Sequence, residues 1–172
     1  ITLDGAEYNT TGSQTYEATG GAAKILFTNT ANATITTDGT DVGFVGGDVK
    51  ITEDVDLTIT TGGGSTAGNI SFGAALKGDS TTATKFSDVS LTTGAGTVGL
   101  NAISTDIRDV TVSAGTADVT LSGNITLEGG TNDSGVLDIT GNVLAGANIA
   151  INTTDAGGGA VTITGKLDST GA

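Results

Sequence analysis

The chain has 172 residues, a formal net charge of −13, and no Pro, Cys, Met, Trp or His. Lacking Cys and His, it can form neither disulfides nor thiolate or imidazole metal sites, and it cannot build a hydrolase triad. Its acidic surface repels phosphate backbones and anionic bilayers, which argues against nucleic acid as a partner, and no apolar run approaches the ~20 residues of a membrane span.

Twenty-nine Gly, two Tyr and four Phe favour a thin interior filled by Val, Ile, Leu, Ala and Thr. Helical periodicity is absent, and short apolar–x–apolar units recur instead. In chain order they are Ala33 with Ile35, Val49 with Ile51, Leu57 with Ile59, and Ile70 with Phe72. Val89 with Leu91, Val98 with Leu100, Val110 with Val112, and Val119 with Leu121 follow. Ile125 with Leu127, Leu137 with Ile139, Ile149 with Ile151, and Val161 with Ile163 close the series, and residues 1–30 fit it least. The residue between is commonly Thr, Asp or Ser, so each strand has one buried and one wet face.

Turns are expected at Thr61–Ser65, Gly94–Gly96, Gly129–Asp133 and Asp155–Gly159, whose Gly, Asn and Asp residues tolerate positive φ. The stretch from Gly73 to Phe86, with Lys77 and Lys85, is predicted to be an insertion between strands and the candidate place for an adhesive departure from the rhythm.

Spacing gives the organisation. Leu127, Ile139, Ile151 and Ile163 are twelve apart, while Leu91 to Val112 and Leu100 to Leu121 are each 21 apart. This predicts one all-β domain over 1–172, a parallel β-solenoid with coils of roughly 19–24 residues and two long faces. About eight coils would span about 40 Å at ~4.8 Å per stacked strand. The four residues of the twelve-residue series are expected to point inward.

Gly12-Ser-Gln-Thr-Tyr16, Ala33-Thr-Ile-Thr-Thr37, Leu91-Thr-Thr-Gly-Ala-Gly-Thr-Val-Gly-Leu100 and Asp118-Val-Thr-Leu-Ser-Gly-Asn-Ile-Thr-Leu127 resemble the repeats of giant bacterial surface proteins of the filamentous-haemagglutinin type. The resemblance implies a right-handed parallel β-helix at the cell surface or outside the cell, with scaffold or adhesive roles. The expected function is a structural solenoid building a fibre, stalk or filament, and the alternative is an adhesin module binding a host or surface ligand. Joined end to start, Gly171-Ala172-Ile1-Thr2-Leu3-Asp4-Gly5 resembles the internal run Gly123-Asn-Ile-Thr-Leu-Glu-Gly129. The expected partners are therefore identical repeats or subunits stacked head to tail, with the chain as one repeat of a longer array.

No enzyme is expected. The carboxylate pairs Asp38/Asp41, Asp54/Asp56 and Asp106/Asp109, the last with Arg108 between, are read as turn caps rather than as glycosidase or lyase groups, because few aromatics exist to stack on sugar. No cofactor is expected, with calcium the one ionic candidate. The densest acidic run, Glu53, Asp54 and Asp56, offers the oxygen ligands a hard cation prefers. Gly129-Gly-Thr-Asn-Asp133 departs from the calcium-binding nonapeptide, with Asn132 in place of its third Gly.

Overall fold

The computed structural model describes residues 1–20, 24–62, 68–82, 84–129, 135–146, 148–154 and 159–169. The predicted turns at 61–65, 129–133 and 155–159 lie largely outside them. Every described element is a strand, the strands pair in parallel, and the chain winds through about 6 coils of a β-solenoid.

Each coil contributes strands to three stacks, not to two faces. The first stack is a seven-stranded sheet of β1 (Thr2–Leu3), β4 (Lys24–Phe27), β7 (Asp48–Thr52), β10 (Leu76–Asp79), β13 (Ile103–Ser104), β15 (Ile125–Glu128) and β17 (Ile151–Thr154). The second runs through β2 (Glu7–Thr10), β5 (Ala33–Thr37), β8 (Leu57–Thr60) and β11 (Ser87–Thr92). It continues into the first parts of β14 (Ile107–Leu121) and β16 (Leu137–Ala145) and ends at β18 (Val161–Thr164). The third holds β3 (Gln14–Glu17), β6 (Val42–Val45), β9 (Ile70–Phe72), β12 (Val98–Leu100), the remainders of β14 and β16, and β19 (Leu167–Ser169).

The register confirms one expected spacing and corrects another. Leu91 lies beside Val112 and Leu100 beside Leu121, the two pairs 21 residues apart. The advance is not constant: Thr2 lies beside Leu26, Leu76 beside Ile103, and Leu57 beside Val89, 32 residues on. Three strands and three corners take more residues than two, which is why about 6 coils form rather than eight. The stack is then about 29 Å tall.

In the twelve-residue series, Ile139 lies beside Ile163, but Leu127 lies beside Thr153 and Ile125 beside Ile151. Leu127 and Ile139 are fully buried, and Ile163 is partly buried against the core. Ile151 continues the inward column of Ile125 yet is 36% exposed, because it belongs to the last coil. The inward pair there is Ile151 with Thr153, and Ile149 falls outside the strand.

The interior is built of columns, each inward side chain resting on its equivalent one coil away. In the first three coils aromatics fill them: Tyr16 stacks on Phe44 at 5.3 Å and Phe44 on Phe72 at 4.8 Å, with Phe27 edge-on to Phe44 at 6.3 Å. Further along, Val, Ile and Leu take over.

The corner after the second stack is polar but closed. Thr37, Thr61 and Thr93 are buried there, and their hydroxyls donate to the carbonyls of Thr40, Gly68 and Gly96, the last two at 2.5 Å. Gly62 turns this corner at φ +73°, where a Cβ would lie 2.5 Å from the Gly39 nitrogen. Only glycine suits both the dihedral and the approach.

Candidate functional site

The acidic run Glu53–Asp54–Asp56 does not converge. Glu53 follows β7 and turns toward the loop after Asp79, where its Oε2 accepts from the Thr81 N–H at 3.2 Å and the Ser80 hydroxyl at 3.3 Å. The Thr81 N–H, then Lys85, hold its carboxyl below the usual glutamate range. Lys85 Nζ lies 2.9 Å from Asp54 and 3.8 Å from Glu53, and its own pKa is raised by them. Asp56 faces another corner, accepting the Asp88 N–H at 3.0 Å. Among the described residues no group of three or more acidic side chains forms a metal-holding cluster.

The stretch from Gly73 to Phe86 is mostly ordinary coil. Leu76 is buried on β10, in register with Val49 and Ile103, and Lys77 pairs with Asp48 at 2.6 Å. The insertion is only the loop after Asp79, which gives the longest coil.

Asp106 and Arg108, neighbours in sequence, point apart. Asp106 sits at φ +57° in a corner where its N–H donates to Glu128. Partial burial, then the carboxylates of Glu128, Asp79 and Glu53, raise its pKa, which a hydrogen bond from the Ser80 backbone N–H partly offsets. Arg108 instead grips Asp88 with two hydrogen bonds and lies 3.4 Å from Asp109. No acid–Arg cluster of the lyase kind is assembled from Asp106, Arg108 and Asp109.

These corner acids have a structural task that repeats. On four successive coils the residue before the first inward apolar position of the second stack, Ala33, Leu57, Val89 or Val110, accepts through its side chain the backbone N–H of its equivalent on the next coil. Asn32 takes the N–H of Asp56, Asp56 that of Asp88, Asp88 that of Asp109, and Asp109 that of Val136. A second such column precedes the third stack, where Asp41 takes the N–H of Asn69 and Asn69 that of Thr97. Asp38 lies elsewhere, in an open depression of about 460 Å³ with Asn9, Thr36 and Gly62.

The outer faces differ sharply. The first stack displays charge, with Lys50 bonded to Asp79 at 2.6 Å and Lys77 to Asp48 across neighbouring strands. The third shows Gly43, Ser71 and Gly99 in one column. The second is a grid of hydroxyls. One column runs Thr34, Thr58, Ser90 and Thr111, continued by Asp138 and Thr162. The other runs Thr36, Thr60, Thr92 and Ser113, continued by Thr140 and Thr164. A groove of about 290 Å³ follows one edge, where Asp56, Asp88 and Asp109 border Thr58, Ser90 and Thr111. The sequence signal for this face is the recurrent hydroxyl–apolar–hydroxyl triplet, visible as Thr34-Ile35-Thr36, Thr58-Ile59-Thr60 and Thr162-Ile163-Thr164. Sequence reasoning took those hydroxyls only as the wet side of each strand.

The last coil is open. Ile151, Val161 and Leu167 continue the columns of Ile125, Leu137 and Val143, which are fully buried, but are themselves 36%, 46% and 67% exposed. At the other end Ile1 is 51% exposed.

The class these features define is a parallel β-solenoid repeat protein. No family model, curated protein or solved structure matches the chain.

Proposed function

We propose that the chain is a structural segment of an extracellular bacterial filament, stalk or surface fibre of the filamentous-haemagglutinin type, elongated by stacking identical repeats or subunits head to tail. The observation that carries this reading is the in-register stack itself, in which each coil is a bed for the next, as in the column Ile25, Val49, Leu76, Ile103 and Ile125. These inward columns run on to Ile151, Val161 and Leu167. A further coil laid in register would bury these side chains and satisfy the edge N–H and C=O groups, which an uncovered sheet edge leaves to water or to aggregation. Ile163 would rest on Tyr8 and Ile151 on Ile1, because these residues occupy matching columns.

The test is a tandem of two copies, examined by small-angle scattering and thermal unfolding. One rigid rod of doubled length, with its midpoint raised above the single copy, is expected. Two bodies hinged at the junction, melting as the single copy does, would overturn the stacking.

A further inference from the structure

We propose that the outer face of the second stack is an ice-binding surface. It rests on the sorting of side chains among three faces of one chain, not on the stacking proposed above.

Four consecutive coils place a hydroxyl residue at two alternate outward positions of the second-stack strand, from Thr34 and Thr36 to Thr111 and Ser113. The two columns stand about 6.6 Å apart along the strand, and members of a column about 4.8 Å apart along the stack. Backbone ladders set both distances, so the grid does not depend on flexible side chains. Most members are Thr, whose branched Cβ restricts χ1 and fixes hydroxyl and methyl together. Their inward neighbours Ile35, Ile59, Leu91 and Val112 are all buried, which anchors each strand from below.

The partner must suit a regular grid of hydroxyls with acids along one edge. The chain carries −13, yet neither hydroxyl column holds a charged side chain over these four coils; Asp56, Asp88 and Asp109, with Arg108 paired to Asp88, line one edge of the face, and Lys50, Lys77, Asp48 and Asp79 crowd the first face. The hydroxyl columns themselves complement an uncharged partner, and the acids along their edge repel a polyanion. A sugar chain would be met by exposed aromatics, and here Tyr16, Phe44 and Phe72 stack inward. What remains is a neutral solid that donates and accepts hydrogen bonds at every lattice point with a repeat close to the inter-strand spacing. Ice meets each condition. Threonine hydroxyls would extend its hydrogen-bond net, and the methyls between them would hold the intervening waters in lattice-like positions.

The experiment measures thermal hysteresis and partition into a slowly grown ice shell, using the full 172-residue chain. Faceted crystals, measurable hysteresis and enrichment in ice are expected. Thr60→Tyr with Thr92→Tyr raises two side chains from the centre of the grid and should lower hysteresis about tenfold or more by steric exclusion. Ser104→Tyr, on the first stack's outer face, should leave it unchanged. If circular dichroism shows the Tyr pair misfolded, Thr58→Lys with Thr111→Lys serves in its place. Absence of hysteresis and of ice enrichment up to the solubility limit would overturn the proposal. So would hysteresis that survives either folded double variant, or binding to insoluble polysaccharide or mineral with none to ice.

Discussion

Arg108 reaches back one coil to hold Asp88, Nη2 to Oδ2 at 2.5 Å and Nε to Oδ1 at 3.1 Å. The contact neutralises a column that would otherwise stack like charges, since Asp56, Asp88 and Asp109 occupy equivalent places on successive coils. About a third of each side chain is exposed, so solvent screens the pair. Arg108→Gln should cost about 0.5–1 kcal/mol, with part recovered at high salt as repulsion among the acids is screened. Asp88→Ala should cost more, about 1–2 kcal/mol, because the hydrogen bond from the Asp109 N–H to Asp88 is also lost. Denaturant titration at two ionic strengths separates the two effects: a salt-insensitive Arg108→Gln would contradict the electrostatic account.

Asp106 illustrates the opposite balance. Burial first, and then the carboxylates of Glu128, Asp79 and Glu53, raise its folded-state pKa above the unfolded one. The folded chain therefore prefers the protonated acid, and the associated stability is present at low pH and lost as pH rises through the shifted pKa. Glu53 runs the other way. Its lowered pKa gives stability that is present above the ordinary glutamate range and lost as pH falls through the folded value. Asp106→Asn keeps a residue tolerant of φ +57° and removes the charge. With solvent screening the mostly exposed charges, it should stabilise the protein by no more than a few tenths of a kcal/mol at pH 7, about 0.2–0.5. The gain should vanish near pH 3, where Asp106 is protonated in both states. An equal gain at both pH values would point to something other than titration.

The parts of the fold visible in the sequence are those in which both inward positions are large and apolar. Leu91 and Val112 announce their column because each sits in an apolar–x–apolar unit. β10 is hidden because its second inward position is Gly78, where a Cβ would meet the Asp106 backbone oxygen at 2.6 Å and its Cβ at 2.5 Å. β17 pairs Ile151 with Thr153, and β3 turns Gln14 and Tyr16 inward, so neither shows the expected alternation. The hydroxyl grid escaped for another reason. Its triplets are plain in the sequence, but Thr60 and Thr92 become neighbours only once the coil is known to advance by 32 residues there. A corner loop sets that length, and apolar periodicity carries no information about it. The acidic corners were legible as turn caps but not as ladders, because the acceptor and its N–H partner lie a whole coil apart.

The buried threonine corners should be sensitive to loss of a single oxygen. Thr61 is fully buried, and its hydroxyl donates to the Gly68 carbonyl at 2.5 Å, closing the corner after β8. Thr61→Val preserves shape and leaves that carbonyl without this donor, at a cost of about 1–3 kcal/mol. Thr60→Val, one residue earlier and on the outer face, should stay within about 0.5 kcal/mol. Thermal unfolding of the two variants tests this corner directly, and equal effects would contradict it.

Tyr16 gives the first coils an alkaline limit. Its ring stacks on Phe44 and its hydroxyl donates to Gln14, while burial first, and then Tyr8, push its pKa up to about 12. An unfolded tyrosine ionises near 10. The raised value means that the folded chain holds the phenolic proton more tightly. The corresponding stability is intact below pH 10 and lost as pH climbs toward 12. Because each coil contacts only its neighbours, that loss should fall on the coils around Tyr16 before the aliphatic ones further along. Tyr16→Phe keeps the stack and removes the titration. At pH 7 it should cost about 0.5–1.5 kcal/mol for the hydrogen bond to Gln14. Above pH 10 the variant should overtake the parent protein in stability. Unfolding curves from pH 7 to 12 decide it: parallel losses in the two proteins would mean that Tyr16 does not set the alkaline limit.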